Sequence, residues 1–141
     1  MFILLFSLII PLLLIILFIN FNKKNKSKVV AFVGPRGTGK TTCLYQICKN
    51  MSVKTVPTLS NYELQYNNIT IREVIPNKEK DPLLKYGVID KNVNYFCFIK
   101  NENDIFDSKD FSVKFVSLGE NKGNKNVIYL ENDPKKLIKF I

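Results

Sequence analysis

The stretch Val29–Ile47, VVAFVGPRGTGKTTCLYQI, joins an apolar, β-branched run to a glycine-rich bend and then to a segment with helical spacing. Inside it, Gly34-x-x-x-x-Gly39-Lys40-Thr41 satisfies the phosphate-loop pattern without a mismatch, in the strand-then-helix setting that the pattern requires. Each residue type has a physical reason. Glycines at 34, 37 and 39 let backbone N–H groups turn inward around a β-phosphate, a concavity that side chains would fill. Lys40 reaches the β- and γ-phosphates, Thr41 offers a hydroxyl to Mg²⁺, and the following helix turns its positive end toward the anion. The candidate nucleotide contacts are therefore Gly34, Pro35, Arg36, Gly37, Thr38, Gly39, Lys40, Thr41 and Thr42. A strand that feeds such a loop into a helix is a unit of an α/β sheet, which restricts the fold to that class.

The remaining pattern extends the sheet. Lys28–Val33 reads as a buried strand, and Thr41–Asn50 as a helix with Leu44, Ile47 and Cys48 on one face. Glu63–Tyr66 and Ile69–Val74 form a hairpin about Asn67-Asn68. Pro76–Pro82 is rich in breakers and reads as loop. Val93–Ile99, Val113–Leu118 and Asn126–Leu130 read as three further strands, and Pro134 opens a final helix over Lys135–Ile141. Only residues 100–112 separate two of these strands, near the minimum for a crossover helix, so that helix is expected to be vestigial.

Charge and cysteine content narrow the function. The chain has no histidine, which excludes a histidine-dependent metal site and a Ser-His-Asp triad. Cys43, Cys48 and Cys97 have neither a redox nor a zinc spacing and read as reduced, packing thiols. Met1–Phe21 carries no charged residue, so the whole net charge of +9 lies in residues 22–141. An apolar helix of that length rises about 30 Å, the thickness of a bilayer core. The run lacks the positive start and small-residue cleavage site of a signal peptide, and is expected to be an uncleaved transmembrane anchor. Lys23, Lys24, Lys26 and Lys28 come directly after it and orient the C-terminal part of the chain toward the cytosol. The expected organisation is an anchor at 1–21, a basic juxtamembrane linker at 22–28 and a nucleotide-binding domain at 29–141. The other lysines are dispersed and not interleaved with aromatics in one patch, so no direct nucleic-acid contact is expected.

The segment Thr55-Val56-Pro57-Thr58-Leu59-Ser60-Asn61-Tyr62-Glu63, succeeded by Tyr66-Asn67-Asn68-Ile69-Thr70-Ile71, resembles the first switch of Arf-like small GTPases. With a single N-terminal anchor directly ahead of such a domain, the chain resembles the family of signal recognition particle receptor β subunits. That resemblance implies a small-GTPase-like parallel sheet flanked by helices, reduced in size and preceded by one transmembrane helix. It implies GTP and Mg²⁺ as cofactors, with Thr58 as the switch threonine that joins Thr41 at the metal. It also implies residence in the endoplasmic reticulum membrane, with the receptor α subunit as partner and protein targeting as the task. The base would be met by Asn121, Lys122 and Asn124, which stand near the place of the family's N-K-x-D.

Departures from the family pattern set limits. Glu73-Val74-Ile75-Pro76-Asn77 replaces the D-x-x-G expected after the hairpin, with Glu73 in the place of the aspartate and no glycine to sense the γ-phosphate. No glutamine or histidine stands there to orient an attacking water, so slow turnover is expected. Asn124 replaces the aspartate that pairs with guanine, and an amide offers one acceptor where a carboxylate offers two. Two alternatives stay open: a membrane-anchored P-loop ATPase or kinase, with Asp104 and Asp107 as its candidate acids, and a degenerate, nucleotide-free scaffold.

Overall fold

The computed structural model describes residues 28–54 and 58–141, together with Pro11 and Ile15. The expected anchor at 1–21, apart from those two positions, lies outside the described residues, as do linker residues 22–27 and switch residues Thr55, Val56 and Pro57. Among the described residues, no helix is long and apolar enough to cross a membrane.

Six strands form one sheet: β1 (Lys28–Val33), β2 (Tyr62–Tyr66), β3 (Ile69–Glu73), β4 (Asn94–Phe98), β5 (Val113–Ser117) and β6 (Val127–Tyr129). Their spatial order is β2-β3-β1-β4-β5-β6, with β2 antiparallel to β3 and every other pair parallel. The fold is thus an α/β, mostly parallel sheet. β1 lies at its centre, with Val30 opposite both Ile71 of β3 and Asn94 of β4.

Alternation along the central strands builds two cores, because successive side chains leave a strand on opposite faces. Val30 and Phe32 of β1 join Phe96 and Phe98 of β4 on one face; Ala31 and Val33 join Tyr95 and Cys97 on the other. The first face is covered by α1 (Lys40–Lys49), through Cys43, Leu44 and Ile47, and by a 3₁₀ helix at Pro134–Phe140, through Leu137. Phe32, Phe96 and Phe98 are fully buried, each contributing about 1.5–3 kcal/mol by burial. Their rings also meet: Phe32 lies tilted against Phe98 at 5.1 Å and edge-on to Phe96 at 6.2 Å.

The second face is covered with little helix. The connection between β4 and β5, residues 99–112, contains only a 3₁₀ turn at Glu102–Asp104. Phe106 does the covering instead, packing on Tyr86 at 5.8 Å and edge-on to Phe115 at 5.3 Å. One large aromatic ring buries in a short loop what a crossover helix would bury with several aliphatic residues. Tyr86 is brought there by α2 (Pro82–Lys85), a single turn after the breaker-rich loop. Its signal was present in the sequence as Asp81-Pro82: the Asp81 carboxylate accepts from the Leu83 N–H, and proline occupies the first helical position.

Every strand after β1 differs from expectation by a residue at one end or both, and the helices differ too. The last helix is 3₁₀ rather than α, spanning Pro134–Phe140, with the Asp133 carboxylate accepting from the Lys135 N–H. α1 begins at Lys40 rather than Thr41, and Cys48 is half-buried while Cys43 is fully buried. Burial raises the Cys43 and Cys97 thiols to about 12, consistent with packing thiols.

Candidate functional site

Residues 34–39 leave the C-terminal end of β1 and arch back to the start of α1. Three glycines make the arch, at φ +120° (Gly34), +71° (Gly37) and +84° (Gly39), a region costly for residues with a Cβ. The structure adds a second reason for two of them. A Cβ on Gly34 would lie 2.2 Å from the Phe98 carbonyl oxygen of β4, and one on Gly39 would lie 2.1 Å from Leu118 Cδ1. Gly34 is therefore fixed by the approach of a neighbouring strand, whereas at Gly39 the end of the Leu118 side chain can turn aside and the positive φ is the stronger reason. Gly37 has room for a Cβ, which would make only ordinary contact with Lys100 Nζ at 3.7 Å.

The loop closes around its own lysine. Lys40 Nζ donates to the carbonyl oxygens of Gly34 (2.9 Å) and Pro35 (2.6 Å), and Thr38 Oγ1 donates to the Pro35 carbonyl (2.9 Å). Lys40 is only 5% exposed, and burial holds its pKa below the usual 10.5. The Glu73 carboxylate opposes that shift, while Arg36 and Lys100 add to it. α1 has no side-chain N-cap and no acidic residue in its first turn, so its positive end is left for an anion.

Glu73, the last residue of β3, stands across from the loop because β3 pairs directly with β1. Its Oε1 accepts from Thr41 Oγ1 (2.8 Å) and from Thr58 Oγ1 (3.1 Å). Its Oε2 is buried without a hydrogen-bond partner, on a residue only 2% exposed. An unpaired buried carboxylate oxygen is costly, and here it lies beside a cavity of about 100 Å³. Arg36, Lys40, Thr41, Thr58, Glu73 and Pro76 line that cavity, along with the glycines 37 and 39. Two hydroxyls and a free carboxylate oxygen are hard donors of the kind Mg²⁺ takes, and they fit such an ion. Among the described residues no group of three or more Asp, Glu, Cys or His is placed to hold a metal. An ion here would depend on the hydroxyls, Glu73 and the phosphates themselves.

Of the residues singled out in the sequence, the structure thus brings together Arg36–Thr41, Thr58 and Glu73, with Gly34 and Pro35 facing Lys40. Thr42 is half-buried in the first turn of α1. Asn121 and Asn124 do not line this cavity; they border a separate groove of about 540 Å³ with Ile128 and Tyr129. The side-chain Oδ1 atoms of Asn121 and Asn124 accept from the Gly123 and Asn126 backbone N–H groups, and Lys122 is exposed. Asp104 and Asp107 likewise serve local turns. Asp104 accepts from the N–H groups of Lys100 (2.8 Å) and Asn101 (3.3 Å), and Asp107 from that of Lys109 (3.0 Å). Neither lines the cavity. Sequence reasoning missed Lys100 and Leu118, which reach the loop from the ends of β4 and β5; no local motif marks either.

No family model matches the chain. The ABC multidrug transporter atrC of Emericella nidulans is 29% identical over 97 residues, which cover 67% of this chain and 8% of atrC. The chain spans only that small fraction of its curated relative's length.

Proposed function

We propose that this chain is a membrane-anchored nucleoside-triphosphate-binding protein of the small-GTPase type. GTP with Mg²⁺ stabilises a docking surface in it rather than fuelling fast turnover. The observation that carries the reading is the pair of hydrogen bonds that ties Thr41 of the phosphate loop and Thr58 of the switch-like segment to one carboxylate, Glu73. A bound Mg²⁺ would be held by Thr41 and Thr58, with Glu73 beside them, and would neutralise phosphate charge. Lys40 would meet the β- and γ-phosphates, and the N–H groups of the loop would wrap the β-phosphate. Because Glu73 holds Thr58 against the loop, occupancy of the site bears on the segment that leads into the exposed edge strand β2. By resemblance, the surface so ordered would take the α subunit of the signal recognition particle receptor at the endoplasmic reticulum membrane. Slow turnover is expected because, among the described residues that line the cavity, no glutamine or histidine stands to orient water.

The match to an ABC transporter favours a second reading, a P-loop protein directed to ATP. Against it stand the candidate acids Asp104 and Asp107, which are engaged in turns away from the cavity. One titration separates the readings. Full-length protein in mild detergent is loaded with a fluorescent GTP analogue and competed with GTP or ATP, with and without Mg²⁺. The proposal expects Mg²⁺-dependent binding that GTP displaces at lower concentration than ATP, abolished by Lys40→Ala. Equal displacement, or preference for ATP, supports the second reading; no binding at all leaves the nucleotide-free scaffold.

A further inference from the structure

The five parallel strands begin at one edge of the sheet and end at the other, which separates two surfaces. The phosphate loop, Glu73 and Pro76 lie at the C-terminal edge. The chain enters the domain at the opposite edge, at Lys28, the first residue of β1. Three observations place a basic, apolar surface at that entry edge. The Lys28 ammonium donates to the Ile141 carbonyl, and Lys114, near the start of β5, donates to the Phe140 carbonyl at 3.5 Å. Phe140 is itself 43% exposed. Two adjoining grooves of about 540 and 500 Å³ share Lys125, Ile128 and Phe140, with Lys139 on the rim of one and Lys114 on the rim of the other. Glu131 pairs with Lys136 and Asp110 with Lys91, and Glu102 accepts from Asn124 on the wall of the larger groove; among the described residues Lys114, Lys125 and Lys139 are in no ion pair.

We infer that this lysine-rimmed edge is a docking surface for anionic lipid headgroups, seated on the same bilayer that residues 1–21 enter. The inference rests on the anchored reading, and it adds which face of the domain meets the lipid and which does not. The charge-free run of residues 1–21 and the lysines at 23, 24 and 26 lead into β1 at this edge and no other. Lysine side chains suit such a seat, because a lysine has an apolar stem to set beside groove residues such as Ile128 and Phe140 and an ammonium to reach phosphate. β1 has six residues, so the phosphate loop stands about 20 Å from the headgroups and opens away from them. A partner that reads the nucleotide state therefore approaches from the cytosolic side without competing with lipid.

Lysine acetylation footprinting of the full chain tests this, in phosphatidylcholine vesicles with and without phosphatidylserine. Acetylation of Lys114, Lys125 and Lys139 should fall at least about threefold when phosphatidylserine is present. Lys78 and Lys80, in the loop beyond β3 at the far edge, should not change. The double variant Lys125→Gln/Lys139→Gln changes two exposed side chains; it should lose the protection at Lys114 while still floating with the vesicles. Equal acetylation in both lipids, protection at Lys78 and Lys80, or the same protection from inorganic phosphate in phosphatidylcholine vesicles would each overturn the proposal. A chain that floats with unchanged acetylation overturns the docking alone. One that floats with neither vesicle overturns the anchored reading along with it.

Discussion

Replacing Gly34 by alanine separates a role in folding from a role in phosphate binding. The new Cβ would stand 2.2 Å from the Phe98 carbonyl oxygen, 3.0 Å from the Phe98 nitrogen and 3.1 Å from its carbonyl carbon. All three are backbone atoms of β4, held on both sides by β1 and β5, so no side-chain rotation relieves the contact. The backbone at φ +120° adds about 1–3 kcal/mol of conformational strain. Displacing a packed strand adds about 1–3 kcal/mol more. The sum, about 2–6 kcal/mol, is a large part of the stability of a domain this size, about 5–15 kcal/mol. Gly37→Ala is the control. It has the same chemistry in the same loop, but at φ +71° with its nearest neighbour 3.7 Å away, so it should cost only about 1–2 kcal/mol. Urea unfolding of nucleotide-free full-length protein, monitored by far-UV circular dichroism in mild detergent, measures both. Equal costs for the two variants, or a Gly34→Ala cost below about 1 kcal/mol, would refute the idea that β4 rather than phosphate fixes this glycine.

The site itself supports two further expectations. Glu73→Gln keeps an acceptor for Thr41 and Thr58 but removes the charge. It should weaken Mg²⁺-dependent nucleotide binding by about 10–100-fold while moving nucleotide-free stability by no more than about 1 kcal/mol; an equal loss of affinity with Mg²⁺ chelated would contradict the metal assignment. Burial lowers the Lys40 pKa, so between that lowered value and 10.5 the unfolded chain binds more protons than the folded one, and nucleotide-free stability should rise with pH across that interval. Triphosphate affinity should fall over the same alkaline interval as the cation is lost, and Lys40→Arg should remove the fall; a titration of affinity against pH that stays flat for the wild type would refute it.

The phosphate loop, the strand before it and the helix after it were legible because they are local. Apolar alternation, glycines and a lysine at fixed spacing carry their own geometry. The hairpin at Asn67-Asn68 was legible for the same reason, with Tyr66 opposite Ile69 across its turn. Residues 100–112 were legible only as a connection too short for a full helix. That Phe106 would cover the sheet there depends on Tyr86 and Phe115, which are distant in sequence. The acidic candidates show the same limit. Asp104 and Asp107 come after an apolar strand and Glu73 ends one, and only the pairing of β3 beside β1 puts Glu73, rather than the others, at the threonines.

By itself, the sequence determined that an α/β sheet would present a phosphate loop, and that a charge-free run would precede it. Spacing along a chain is sufficient for both. Tertiary structure alone decided which carboxylate faces the loop, why Gly34 has no room for a Cβ, and that loop and chain entry lie at opposite edges of the sheet. Those facts come from strand order and from contacts between residues far apart in sequence, and no local pattern of residues encodes them.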